Sequence, residues 1–190
     1  MVSMSDFPTG GAAVQDGDEV ELIAAARSGR SDAMRELLSR YHRRLHAFLF
    51  RLVWNREDAL DLLQDALFDI VLGLPTLQHA ERFQSWCFRI AYHKAMDWRK
   101  RRREAQLDEQ AATLSSPAGN PEAVSLQFER NESLVQALGK LSTEHRAVIA
   151  LHYMEEMSYE AMALTLDIPV GTVTSRLHHA KASLRRLLED

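Results

Sequence analysis

The stretch Met157–Leu188, MSYEAMALTLDIPVGTVTSRLHHAKASLRRLL, reads as two helices joined by a tight turn. Ser158 suits the cap of the first helix, and Glu160 lies in its first turn, where the helix dipole favours a negative charge. Pro169 suits a helix start rather than a helix interior, so the break falls across Leu166 to Pro169. The second helix then places Val173, Leu177, Ala180, Leu184 and Leu188 on one apolar stripe at helical spacing.

The other side of that helix carries different chemistry. At about 100° per residue, Thr174, Ser175, His178, His179, Ala182 and Arg185 point away from the stripe, with Thr172, Arg176 and Lys181 on its flanks. No acid occurs between Ile168 and Leu188, although the whole chain is acidic, with a net charge of −4. Hydroxyls and imidazoles at the centre with cations at the edges suit base edges in a major groove and the phosphates beside it. The pattern reads as a helix-turn-helix, against the alternative of a solvated helix face with a basic bias.

Working outward, 190 residues leave room for one or two domains, and an apolar content of 46% supports real cores. Charge is distributed unevenly. Cations gather at Lys94–Arg103 and Arg176–Arg186, while acids crowd Glu57–Asp69 and Glu155–Glu160. Cys87 is the single cysteine, which excludes an intrachain disulfide. Between Trp86 and Phe88 it reads as a packed core thiol. No apolar run approaches the roughly 20 residues of a membrane span and the start lacks a signal pattern, so a cytoplasmic protein with no direct membrane insertion is expected.

Residues 1–17 are rich in Gly, Ser and small side chains and read as a tail. A helix follows from about Glu19 to Ser28, and a longer one starts at Ser31 or Asp32. Its stripe of Met34, Leu37, Leu38, Tyr41, Leu45, Phe48, Leu49 and Leu52 is core. Asn55 begins the next helix, which Gly73-Leu-Pro75 ends. Leu60, Leu63, Leu67, Ile70 and Val71 are read as its inner side, while Glu57, Asp61, Gln64, Asp65 and Phe68 share another. An aromatic ring among carboxylates fits an interface with a basic partner, or else Phe68 tucks under a neighbouring loop.

Leu74–Arg82 reads as a loop and Phe83–Arg103 as a helix with Phe83, Trp86, Cys87, Ile90 and Ala91 inward. Its second half combines Lys94, Arg99, Lys100, Arg101, Arg102 and Arg103 with Tyr92 and Trp98. Cations follow a phosphate backbone, and aromatic faces stack on unpaired bases at roughly 1–3 kcal/mol each; cations at a helix C-terminus also complement its dipole. Residues 104–125 contain Pro117, Gly119 and Pro121 without periodicity and read as a flexible linker between domains. A second domain, residues 126–190, holds a helix ending at Gly139, a helix capped by Ser142 with Ala147, Val148, Leu151 and Met154 inward, and the helix pair quoted first. No strand pattern survives, so the expected fold is all-α, two small helical domains on a linker.

Four landmarks in this order, ALDLLQD (59–65), FQSWCFRIA (83–91), DWRKRRR (97–103) and IPVGTVTSRL (168–177), resemble the extracytoplasmic-function sigma factors, the smallest group of bacterial sigma-70-type initiation factors. The likeness covers nearly everything after Glu19 and implies a sigma-2-like bundle over 18–103 and a sigma-4-like helix-turn-helix domain over 126–190. It implies that Asp61, Gln64, Asp65 and Phe68 grip the β′ clamp helices of core RNA polymerase, with the second domain at the β flap. It implies that Leu74–Arg82 and Phe83–Arg103 open the −10 element and hold a flipped base, with Tyr92, Lys94, Trp98, Arg99, Lys100, Arg101 and Arg102 on the DNA. The helix pair would read the −35 element, Thr174, Ser175, His178 and His179 facing bases and Thr172, Arg176 and Lys181 facing phosphates. It also implies an anti-sigma partner, often membrane-associated, covering the Asp61–Phe68 face and the second domain, and no cofactor.

The chain departs from the family where members commonly carry Arg or Lys, at Thr174 and His179, and near Tyr92 and His93, where Asn or Arg is usual. Short hydroxyls and imidazoles read other base edges than an arginine fork, so promoter preference does not transfer. Two further readings compete. A stand-alone dimeric helix-turn-helix regulator leaves the Phe68 face and the Lys94–Arg103 helix without a role. A zinc hydrolase built on His42 and His46 lacks a glutamate after His42 and a third ligand.

Overall fold

The computed structural model describes residues 16–110 and 132–189, and every regular element among them is helical. Helix α1 spans Asp16–Arg27, so Asp16 and Gly17, read as tail, already lie in the helix. The tight bend after it places Gly29 at φ +90°, a conformation open to glycine. Helix α2 (Ser31–Val53) buries Leu37, Tyr41, Leu45, Phe48, Leu49 and Leu52, as its stripe predicts. Helix α3 (Arg56–Gly73) begins on Asn55, whose side chain accepts from the N–H groups of Glu57 and Asp58 at 2.9 and 3.2 Å. Only Trp54 and Asn55 separate the two helices. Trp54 ends α2 in the left-handed region at φ 57°, unusual for so bulky a residue.

Two 3-10 turns, Leu74–Thr76 and Ala80–Arg82, occupy the expected loop and lead into α4 (Phe83–Gln110). Helix α4 runs seven residues past the Arg103 boundary, because Glu104, Ala105, Gln106 and Leu107 are good helix formers with no breaker among them. The remainder of the predicted linker, 111–125, and most of the predicted tail lie outside the described residues. The second group comprises α5 (Glu132–Lys140), α6 (Thr143–Tyr153), α7 (Tyr159–Leu166) and α8 (Val170–Glu189). Ser142 and Ser158 both cap as expected, accepting from His145 N–H at 3.2 Å and Ala161 N–H at 3.1 Å.

Each group packs a core of its own. In the first, Tyr41 meets Phe83 edge-on at 5.0 Å and Phe48 meets Phe88 at 5.2 Å, with Leu63, Ile70 and Leu74 closing the bundle. In the second, Val148 and Leu151 pack with Met162, Leu166, Val173 and Leu177. Cys87 is fully buried and burial pushes its thiol up, which suits a core side chain. The two cores are also continuous: α6 lies along α2 and α7 along α4. Two small helical domains are therefore present, but docked face to face. No helix among the described residues is long and apolar enough to cross a membrane.

Candidate nucleic-acid interface

The helix-turn-helix is built from its caps inward. Asp167, at φ 56°, ends α7 in the left-handed conformation, its N–H bonded to Ala163 O. The N–H groups of Thr172 and Val173 return to Pro169 O at 2.9 and 3.1 Å, which starts α8. Val173, Leu177, Ala180 and Leu184 then pin α8 to the domain core. Leu188, read as the last residue of that stripe, lies at the exposed end of the helix. Thr174, Ser175, His178 and His179 are all exposed on the outward face, with Thr172, Arg176 and Lys181 half-buried beside it. Thr174 and Ser175 donate their hydroxyl protons to Val170 O and Thr172 O, both at 3.1 Å. Each therefore turns a lone pair outward.

The basic half of α4 is partly neutralised within the protein. Lys94 pairs with Asp69 at 2.7 Å, Arg102 with Asp58 at 3.2 Å, and Trp98 Nε1 donates to the same Asp58 at 3.2 Å. Arg99 reaches the second domain, pairing with Glu144 at 2.8 Å. Tyr92 is only 7% exposed, lying beside Arg176 and Glu144 of the second domain; burial raises its phenol and the nearby Arg176 charge opposes that rise. Tyr92, read above as a DNA contact, is buried at the domain seam in this arrangement. Lys100, Arg101 and Arg103 stay exposed with no ion pair among the described residues.

Helix α3 separates its acids by face. Asp58 and Asp69 turn toward α4 and are paired, whereas Asp61, Gln64 and Asp65 are exposed and carry no ion pair among the described residues. Phe68 stands 64% exposed among them, so no loop among the described residues covers it. Leu72 at 62% extends this apolar patch, and Leu60 and Val71, read as inner residues, also lie on the exposed side. The inner side is Ala59, Leu62, Leu63, Ala66 and Ile70, one position round the helix from the reading made above. His42 is exposed, and no group of three His, Cys, Asp or Glu side chains among the described residues is placed to hold a metal ion.

The seam between the domains uses residues that no motif marks. Arg146 of α6 gives hydrogen bonds to Leu141 O (2.6 Å), Gly139 O (3.2 Å), Thr143 Oγ1 (3.1 Å) and, across the seam, Leu52 O (3.1 Å). Its guanidinium stands 5.5 Å over the Trp54 ring, and burial brings its pKa down to about 10. At the other end Arg44 meets Glu155 at 2.8 Å, and Gln84 donates to the Glu155 carbonyl at 3.0 Å. The Glu155 side chain is 7% exposed, and its burial raises the carboxyl against the pull of Arg44 and Arg51. These side chains come from α2, α4, α6 and the turn after it, so only the fold assembles them.

Among the described residues the chain combines an all-helical fold, a helix-turn-helix with an exposed polar face on α8, a basic half of α4 and an acidic-aromatic face on α3. Two family models match it: Sigma-70 region 2 over residues 37–105 and Sigma-70 region 4 over residues 131–184. The ECF RNA polymerase sigma factor SigM of Mycobacterium tuberculosis is 33% identical over 172 residues, covering 90% of this chain and 84% of that protein. SigW of Bacillus subtilis is 27% identical over 178 residues, covering 88% and 95%. The structure of CnrH in complex with the cytosolic domain of CnrY aligns with a TM-score of 0.65 at 27% identity, over 90% of this chain and 97% of that one. The sigma factor RpoE of Bartonella quintana, in complex with the anti-sigma factor NepR, aligns at 0.65 and 28% identity, over 82% and 96%. The chain belongs to the extracytoplasmic-function sigma factors of the sigma-70 family. It is an alternative sigma factor.

Proposed function

We propose that residues 18–103 bind core RNA polymerase and open the −10 element, and that residues 126–190 read the −35 element, so that the protein directs promoter-specific initiation without catalysing a reaction itself. The observation that carries this reading is the outward face of α8, where Thr174, Ser175, His178 and His179 are exposed on a helix lacking acids from Ile168 to Leu188. In a major groove such side chains meet base edges, while Thr172, Arg176 and Lys181 meet flanking phosphates. With their protons held by the helix, the Thr174 and Ser175 oxygens accept from base amino groups. Lys94, Trp98, Arg99, Lys100, Arg101 and Arg102, with Tyr92 once uncovered, serve the opened −10 strand.

Asp61, Gln64, Asp65 and Phe68 form the polymerase-binding face toward the β′ clamp helices, and the second domain meets the β flap. Unpaired carboxylates around an exposed ring suit a partner that brings cations and an apolar socket. The same face and the second domain are where an anti-sigma factor docks, a reading supported by CnrH and RpoE, each solved with such a partner or with CnrY. We expect that inhibitor to be membrane-associated and the sigma factor itself to be cytoplasmic.

Run-off transcription from a promoter library with reconstituted holoenzyme tests the assignment. Specific transcripts should appear only when core polymerase and this protein are both present, and a library with no specific transcript overturns the reading.

A further inference from the structure

Counted at about 100° per residue, the exposed side of α8 resolves into two parallel ridges. Thr174, His178 and Arg185 form one, and Ser175, His179 and Arg186 the other, every member exposed. The ridges repeat one chemical order, hydroxyl, imidazole, guanidinium, shifted by a single residue. Gly171 and Ala182 run between them, both exposed, and a Cβ at Gly171 would meet nothing within 4 Å, so base edges can approach the helix closely. The His178 and His179 rings stand 5.6 Å apart at 78°, diverging rather than stacked.

The first position of each ridge has a settled polarity. Thr174 and Ser175 give their protons to Val170 O and Thr172 O, which leaves oxygens that accept. The second position is settled only by a proton. A neutral imidazole carries one N–H and one lone pair, whereas an imidazolium carries two N–H donors on opposite edges of the ring. On a helix lying in a major groove, one edge of such a ring meets a base and the other meets the phosphate wall. Phosphate and guanine O6 or N7 are both acceptors, so that pair of partners requires the imidazolium. Phosphate and the amino group of adenine or cytosine are an acceptor and a donor, which suit the neutral ring.

The surroundings leave that choice to the DNA. Among the described residues neither ring is paired with a carboxylate. Arg176 and Lys181 flank the pair on α8, and His145 of α6 lies beside His179. Glu144, next to His145, is held by Arg99 of α4 at 2.8 Å, with Tyr92 close to both. Lys140 is exposed at the end of α5, and Glu160 and Asp167 of α7 line a groove by Val170, about two turns before His178. Phosphates on both sides of the groove favour a charged ring, and imidazole ordinarily titrates at about 6.5, within reach of that pull.

We propose that His178 and His179 determine the base preference of the −35 face and that a proton on each ring sets what it reads: guanine as the imidazolium, an amino-bearing base as the neutral ring. Thr174 and Ser175 read an amino-bearing base in either state, one helical turn away, about 6 Å or roughly two base-pair steps. Arg185 and Arg186 meet phosphates beyond the rings. The inference rests on the −35 assignment above and deepens it by naming the class of base at each position.

Holoenzyme reconstituted with the full-length chain, given a promoter library randomised over the −35 element, tests it when transcripts are sequenced at pH 6.5 and pH 8.0. The ratio of guanine to adenine plus cytosine at each position, taken within one reaction, cancels any uniform effect of pH on the polymerase. At one or two positions the ratio should be at least about fivefold higher at pH 6.5, since linkage allows up to about tenfold per pH unit for each proton taken up. His178→Gln with His179→Gln should give the same preference at both pH values, and His179→Arg should select guanine at both. A wild-type ratio that ignores pH, or a pH dependence that persists in the glutamine pair, overturns the proposal. Circular dichroism at both pH values checks folding, and if the glutamine pair loses helical content the arginine variant decides. Absence of any −35 preference at either pH is a different result, which overturns the −35 assignment itself and this inference with it.

Discussion

The guanidinium of Arg146 donates to the carbonyl of Leu52 at 3.1 Å, joining the last turn of one domain's long helix to the first turn of a helix in the other. Among the described residues no carboxylate bonds to this half-buried cation; three backbone carbonyls and the Thr143 hydroxyl surround it. Carbonyls stripped of water and then left without a donor cost about 1–3 kcal/mol each. Arg146→Met should therefore lower unfolding stability by about 3 kcal/mol in urea titrations. Arg146→Lys should recover only part of it, because an ammonium cannot reproduce the planar fork.

Phe68 and Asp65 separate docking from folding. Both are exposed and neither closes a contact in the bundle. Phe68→Ala, or Asp61→Lys with Asp65→Lys, should shift stability by no more than about 0.5 kcal/mol. The same changes should weaken association with core polymerase at least about tenfold, roughly 1.4 kcal/mol, in a fluorescence titration.

On α8 the two sides should respond oppositely. Leu177→Ala empties a fully packed site and should cost about 2–4 kcal/mol, read by thermal or urea unfolding. His178→Ala with His179→Ala should leave stability near that of the parent and change which −35 sequences are selected by the holoenzyme. An unaltered −35 preference in sequenced transcripts would place base reading elsewhere.

Acidification should loosen the protein through two histidines. Burial lowers His46, with His42 and Arg56 adding to the effect, and burial lowers His145 beside His179 and Arg176, with Glu144 opposing. A folded-state pKa below the unfolded value of about 6.5 means that the unfolded chain binds the proton more readily. Their contribution is thus complete above that pH and is lost as pH falls through the folded values. Glu155 acts with the opposite sign. Its raised carboxyl contributes stability below the ordinary carboxylate range, lost as pH rises through the folded value. Melting temperatures followed downward from pH 7.5 should fall, and His46→Gln with His145→Gln should flatten that fall.

Much of the architecture is legible along the chain because it depends on local rules. Asn55, Ser142 and Ser158 announce helix starts by carrying an acceptor within reach of free N–H groups, and each caps as expected. The stripes of α2 and α8 follow helical periodicity, so their buried faces can be counted off. On α3 the buried side lies one position round from the side that periodicity suggests, since apolar residues occupy more than one side and spacing cannot say which side meets solvent. The exposed Leu60, Val71 and Leu72 beside Phe68 emerge only once the bundle is assembled. Trp54 in a left-handed conformation is equally invisible locally: Phe50, one turn back on α2, stacks on its ring at 5.8 Å, but Gly139 and Arg146, which pack against it, come from helices that only folding brings together.

The order of residues by itself determined the helix starts at Asn55, Ser142 and Ser158, the stripes of α2 and α8, the helix-turn-helix with its outward chemistry, and the acidic-aromatic side of α3. These depend on neighbours a few positions apart, where spacing decides geometry. Only the tertiary structure decided that Tyr92 and Arg99 face the other domain and that Arg146 and Glu155 close upon α2. Those pairings join residues from 45 to 111 positions apart, and no periodicity within either helix encodes which distant carbonyl or carboxylate will meet a given cation.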